Sequence, residues 1–233
     1  MSRKHYYHPV KEVISDADRK MLSQKFFDFQ RTLAPSDDNA FKDDILMEGL
    51  FRDFNLEGKM LLDDFKAAYL DTGDRQGYLQ EIGCPARFHR VFDHAALYED
   101  EELVSCLTHL VETYGTTPLN GKPEAVFLHT YGKDNVLPRH IDPGDIGKLT
   151  IPLYPDYDSY RNLNFYESID EKVQPDPSHT VNYSELRSPV LLNPAKIHEI
   201  PDSVSEESLC IQLIFYQGYE NAANYLSKKG LLM

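Results

Sequence analysis

The sequence predicts an α+β protein with a mainly β core: a β-sandwich or jelly roll with N-terminal helices packed against one sheet. Three observations carry that expectation. Helical periodicity dominates up to about residue 120. Short runs of β type, separated by Pro, Gly and Asp, dominate after it. The 233 residues, 41% hydrophobic and 12% aromatic, suffice for one sizeable core. The expected organisation is a single domain over 1–233, with a helical buttress at 1–120, the jelly-roll core at 121–220 and a C-terminal tail at 221–233.

Ser15 is placed to cap a helix running to about Leu33, in which Leu22, Phe26, Phe29 and Leu33 repeat at helical spacing and form one apolar face. A second helical stretch lies within 41–70, on Ile45, Leu46, Leu50, Phe51 and Phe54, then Met60, Leu61, Phe65, Ala68 and Tyr69. A third spans Asp100 to Tyr114, with Leu103, Leu107, Leu110 and Tyr114 as its stripe and Gly115 as a C′ residue. From 124 onwards EAVFLHTY alternates as a strand does, and KLTIPLY (148–154), NLNFY (162–166), SPVLLN (188–193) and SLCIQLIFY (208–216) follow. Pro152 inside its strand predicts an edge position or a bulge. DYDSYRN and SIDEKVQPDPSH read as mobile loops.

The formal net charge of −14 repels phosphate backbones, so nucleic acid is not an expected partner. Cys84, Cys106 and Cys210 are widely spaced and form no CxxC pair. That argues against a thiolate zinc site and for free thiols in a reducing cytoplasm. The first residues contain no apolar signal region, and no run approaches 18 apolar residues, so neither secretion nor a membrane span is expected.

The segment HTYGKDNVLPRHIDPGD carries the chemistry. His140 and Asp142 are two residues apart, and on an extended chain such side chains point the same way, towards a common cation. Taken alone the pair says little, because nine histidines and 38 acidic residues make such a match expected by chance. His198 gives it weight. It lies in SPVLLNPAKIHEI, between an apolar strand and the strong strand SLCIQLIFY, and would complete a two-His-one-carboxylate face with three metal positions left open. His5, His8, His89, His94, His109 and His179 lack such a setting and read as structural or solvated. His129 reads as packing.

FLHTYGKDNVLPRHID, KLTIPLYP, LNFYE, PVLLNPAKIHEIPD and LCIQLIFY, in that order, resemble the double-stranded β-helix core of the Fe(II)/2-oxoglutarate-dependent oxygenases. The resemblance covers residues 124–217. It implies a dioxygenase in which His140, Asp142 and His198 are the catalytic metal ligands and Fe(II), 2-oxoglutarate and O2 are used. A small molecule, a free amino acid or a peptidyl side chain would be hydroxylated. By the same resemblance Tyr131 and Asn193 contact the co-substrate. One departure stands out: the family's usual arginine on the last core strand, which pairs the far carboxylate of 2-oxoglutarate, falls on Ser208 and Gln212 here. A half-buried dicarboxylate needs a cation. Lys148, on one face with Thr150, is the expected replacement, with Gln212 as a hydrogen-bonding neighbour and Arg139, Arg161, Arg187 and Lys196 as weaker candidates. Two rivals stay open: an iron oxygenase or oxidase that does not use 2-oxoglutarate, and a non-catalytic jelly-roll module whose triad is vestigial or holds a structural metal.

Overall fold

The computed structural model describes residues 5–32, 60–71, 89–92, 99–115, 125–131, 137–142, 146–170, 172–201 and 207–233. In chain order these form β1 (Tyr7–Pro9), α1 (Asp16–Thr32), α2 (Leu62–Asp71), β2 (His89–Phe92), α3 (Glu101–Tyr114), β3 (Ala125–Tyr131), β4 (Leu137–His140), β5 (Gly147–Tyr154), β6 (Leu163–Tyr166), β7 (His179–Val181), α4 (Tyr183–Leu186), β8 (Val190–Leu192), β9 (Ile197–Ile200), β10 (Glu207–Phe215) and α5 (Tyr219–Lys228). The fold is α+β with two antiparallel sheets. One has six strands in the order β1-β8-β5-β10-β3-β2, the other four in the order β4-β9-β6-β7. No helix among the described residues is long and apolar enough to cross a membrane.

Alternation along the strands sorts the core into two layers. Leu149, Ile151 and Leu153 of β5 and Leu209, Ile211 and Leu213 of β10 face the helices. There they meet Leu22 and Phe26 of α1, Leu103 and Leu107 of α3, and Leu226 of α5. The opposite face looks towards the four-stranded sheet: Leu128, Val190, Leu192 and Cys210 pack with Leu163, Phe165, Val181 and Ile200. Lys148, Thr150 and Gln212 share that second face by the same alternation, and Thr150 lies directly opposite Gln212 in register.

The helix signals act as the sequence indicates. Ser15 Oγ accepts from the Asp18 backbone N–H at 3.1 Å, and α1 begins one residue later. Asp100 caps α3 by accepting from the Leu103 N–H at 2.9 Å, and Gly115 ends the helix at φ 82°. A Cβ at Gly115 would lie 2.2 Å from the Tyr225 ring, so a larger residue there would have to displace that ring and adopt a conformation that favours glycine. Asp100→Ala is expected to lower stability by about 1 kcal/mol, a fall in Tm of about 2–4 °C by thermal unfolding.

Several expectations change. The first 120 residues are not purely helical: β1 and β2 form the two edges of the six-stranded sheet, and His89 lies on a strand. The segment expected as a C-terminal tail is mostly helix. Tyr219, Ala222 and Leu226 of α5 are in the core, and the Met233 N–H donates to the Pro9 carbonyl at 3.0 Å. His179, expected in a loop, opens β7. Pro152 sits at a bulge, not an edge: the register with β10 shifts between Leu209 and Cys210, while pairing of β5 with β8 stops at Thr150. The missing N–H of Pro152 therefore costs no ladder bond on the β8 side. Its carbonyl accepts from Arg19, whose guanidinium also lies 4.6 Å from the Tyr157 ring centre. Cys106 and Cys210 are free thiols. Residues 41–59 of the expected second helical stretch, Cys84 and His94 lie outside the described residues.

Candidate metal centre

His140 ends β4, and His198 lies opposite it on β9 in register. One extended step past β4 brings Asp142 to the same side. Its backbone N–H donates to the Pro194 carbonyl at 2.9 Å, which ties the segment after β4 to the turn before β9. Three side chains from two neighbouring β-segments thus converge, and one potential ligand atom from each lies within 4.8 Å of the others. His140 Nε2 is 3.6 Å from Asp142 Oδ1, and His198 Nε2 is 3.7 Å from Asp142 Oδ2. The imidazole rings are 4.1 Å apart, tilted by 49°. Ligand atoms about 2.1 Å from a shared ion would be separated by about 3–3.5 Å. The three groups therefore fit a divalent cation with only small adjustment.

The buried member is held ready for one ring nitrogen to bind. His198 is 6% exposed, and its Nδ1 lies 2.8 Å from the Lys196 carbonyl. That carbonyl can only accept, so the proton sits on Nδ1 and the lone pair of Nε2 faces Asp142. Burial, aided by His140, pushes the His198 pKa down to about 4. Burial also pushes the Asp142 carboxyl up, but Lys148, His198 and His140 outweigh it and hold the pKa below the usual carboxylate value. At neutral pH the site presents a neutral imidazole beside a carboxylate, the protonation states a metal ion requires.

Lys148 belongs to this site. Expected as the partner of a co-substrate carboxylate, it is paired with the protein's own: its Nζ is 2.6 Å from Asp142 Oδ2. Thr150 and Gln212 line the inter-sheet face one step further along. Asn193 shapes the turn that delivers His198. Its Nδ2 donates to the His5 carbonyl at 3.0 Å, its Oδ1 accepts from the Ala195 N–H at 3.3 Å, and its backbone N–H donates to the Tyr6 carbonyl at 2.8 Å. Tyr131 closes β3 opposite Glu207, and its side chain lies outside the described residues.

A brace behind the ligands was not visible in the sequence. Arg139 and Glu199 each adjoin a ligand histidine and, by alternation, point to the other side of β4 and β9. Their side chains meet at 3.4 Å. The Arg139 guanidinium lies 3.4 Å from the Tyr166 ring centre, and the Tyr166 hydroxyl donates to Glu199. Arg139 also donates to the Gln174 carbonyl at 2.5 Å and the Pro175 carbonyl at 3.2 Å, fastening these two residues of SIDEKVQPDPSH, which reads as a mobile loop. Its guanidinium is fully engaged there, and Arg187 pairs with Asp158 on the surface at 2.6 Å. Of the weaker cationic candidates, only Arg161 lies buried between the sheets without an ion pair among the described residues.

No family model matches the chain, and no curated protein matches its sequence. Among solved structures, AviO1 from Streptomyces viridochromogenes Tue57 is similar at 15% identity and a TM-score of 0.31, over 55% of this chain and 65% of that one. HygX from Streptomyces hygroscopicus, solved with nickel, 2-oxoglutarate and hygromycin B bound, is similar at 12% identity and a TM-score of 0.28, over 52% and 63%. The chain spans less than two thirds of the length of either structure.

Proposed function

We propose that the chain is an Fe(II)- and 2-oxoglutarate-dependent dioxygenase with a jelly-roll core, acting as one domain, that hydroxylates a small molecule, an amino acid or a peptidyl side chain. The observation that carries this reading is the facial set of His140, Asp142 and His198, with Nε2 of His198 left free to bind by the Nδ1 bond to Lys196. Two histidines and one carboxylate suit Fe(II) and leave coordination positions open. Bound iron and 2-oxoglutarate would supply the oxidising chemistry, with O2 as co-substrate and succinate and CO2 as products. The protein's own part is to hold and orient. His140 and His198 meet across one strand pair, the Pro194 carbonyl fixes the backbone of Asp142, and Lys148 fixes its carboxylate. The apolar inter-sheet cluster beneath excludes water from the buried side. The acidic chain disfavours duplex nucleic acid as substrate, and a reducing cytoplasm is the compartment that suits free Cys106 and Cys210.

One observation favours the rival without 2-oxoglutarate: Lys148 is engaged by Asp142, and the last strand carries Ser208 and Gln212 where a cation is wanted. Anaerobic addition of 2-oxoglutarate to the Fe(II)-loaded protein separates the two. A charge-transfer band, followed in air by iron-dependent succinate release across a panel of amino acids and peptides, is the expected result. Fe(II) binding with neither band nor succinate would leave the rival standing. Purified protein that binds no metal would point to the non-catalytic module.

A further inference from the structure

Arg161 immediately precedes the segment that leads into β6. It is 4% exposed, and its Nη1 has no hydrogen-bond partner. No acidic side chain pairs with it among the described residues. A guanidinium cannot escape burial by losing its proton, and a buried charge without a counter-charge is strongly disfavoured. The groups around it do not neutralise it. Its charge reaches the phenols of Tyr160 and Tyr183 and the thiol of Cys210, all three buried. Burial keeps each of them protonated at neutral pH. The two phenol rings meet edge to face at 5.1 Å. The Thr150 hydroxyl approaches that of Tyr183 without making a hydrogen bond. Cation, phenols and hydroxyl together make a set of polar groups that lacks an anion among the described residues.

This set connects to the metal ligands. Thr150 lies on the same face of β5 as Lys148, two positions or about 7 Å along the strand, and Lys148 is 2.6 Å from Asp142. Asp142, Lys148 and Thr150 thus follow one another along one face, and Thr150 adjoins Tyr183, whose phenol the Arg161 charge reaches. We propose that Arg161 binds the far carboxylate of a 2-oxo diacid whose oxo-acid end reaches the metal ligands, taking the place that Ser208 and Gln212 leave without charge. The proposal rests on the dioxygenase reading and names the residue that would select its co-substrate.

The test uses the wild-type chain, Arg161→Gln and Arg161→Lys, each loaded anaerobically with Fe(II) and titrated by calorimetry. The two probes are 2-oxoglutarate and 2-oxobutyrate, which has the oxo-acid end but no second carboxylate. The wild type is expected to prefer 2-oxoglutarate by about 100-fold or more. Arg161→Gln should bind both equally weakly with its iron content and 2-oxobutyrate affinity unchanged, and Arg161→Lys should keep part of the preference. Because the charge has no acidic partner among the described residues, metal-free Arg161→Gln should unfold at the same temperature as wild type or higher. Retention of the full preference by Arg161→Gln overturns the proposal. So does failure of that variant to fold, which would give Arg161 a structural role. Equal binding of both probes by the wild type sinks the role of Arg161 but leaves metal chelation of an oxo acid intact. Binding of neither sinks the dioxygenase reading with it.

Discussion

Asp142→Ala is expected to leave a folded chain that no longer retains a divalent metal, and to do so more completely than His140→Ala. Each substitution removes one ligand. Removing even a group that only orients a ligand lowers metal affinity about 10–100-fold, so loss of a ligand itself should exceed that. Asp142 has a second consequence because Lys148 lies 2.6 Å from its carboxylate. Without the carboxylate, an ammonium stays beside two histidines and repels any cation brought to them. Adding Lys148→Ala to Asp142→Ala should therefore recover part of the lost affinity, whereas Lys148→Ala alone should weaken binding by freeing the carboxylate to rotate. The fold should survive, since the bond to the Pro194 carbonyl comes from the backbone N–H of residue 142. Calorimetric metal titration, with thermal unfolding as the control, reads all four proteins. Stoichiometric, tightly held metal in Asp142→Ala would remove these three residues as its ligands.

Residues 147–154 and 207–215 were legible in the sequence because apolar side chains that alternate over a whole segment suit a strand with one buried face and fit no helix. His140 and Asp142 were legible because a two-residue step fixes relative direction. β4 and β9, the strands that carry the ligands, were not. LPRH and IHEI are four residues each, with a proline in one and polar neighbours in both, and they become strands by pairing across long stretches of sequence, β4 with β9 and β9 also with β6. Their pairing is what puts Arg139 against Glu199, so that brace was hidden for the same reason. Lys148 was placed on the correct face, but a strand position tells which way a side chain points and not which carboxylate it meets. The small alanines of α5 mute its periodicity, so a core helix read as a tail.

The same burial that readies His198 for metal should make the metal-free protein acid-sensitive. Its pKa falls from 6.5 to about 4 on folding, so between those values the unfolded chain takes up a proton that the folded chain does not. Stability from this group is complete above pH 6.5 and is lost as the pH falls towards 4, by up to about 3 kcal/mol. Asp142 acts in the same direction: its folded pKa lies below the ordinary carboxyl value, so the stability it contributes is present above that value and lost as the pH drops through its lowered one. Bound metal blocks protonation of all three ligands, so the holo protein should resist acid further and then lose metal and stability together. Denaturant unfolding of metal-free protein at pH 7, 5.5 and 4.5 should give a falling midpoint. His198→Gln, which has no proton to take up in this range, should flatten that dependence even if it lowers stability at pH 7. An equal slope in the variant would mean that the acid sensitivity originates elsewhere and that His198 is not held neutral by its surroundings.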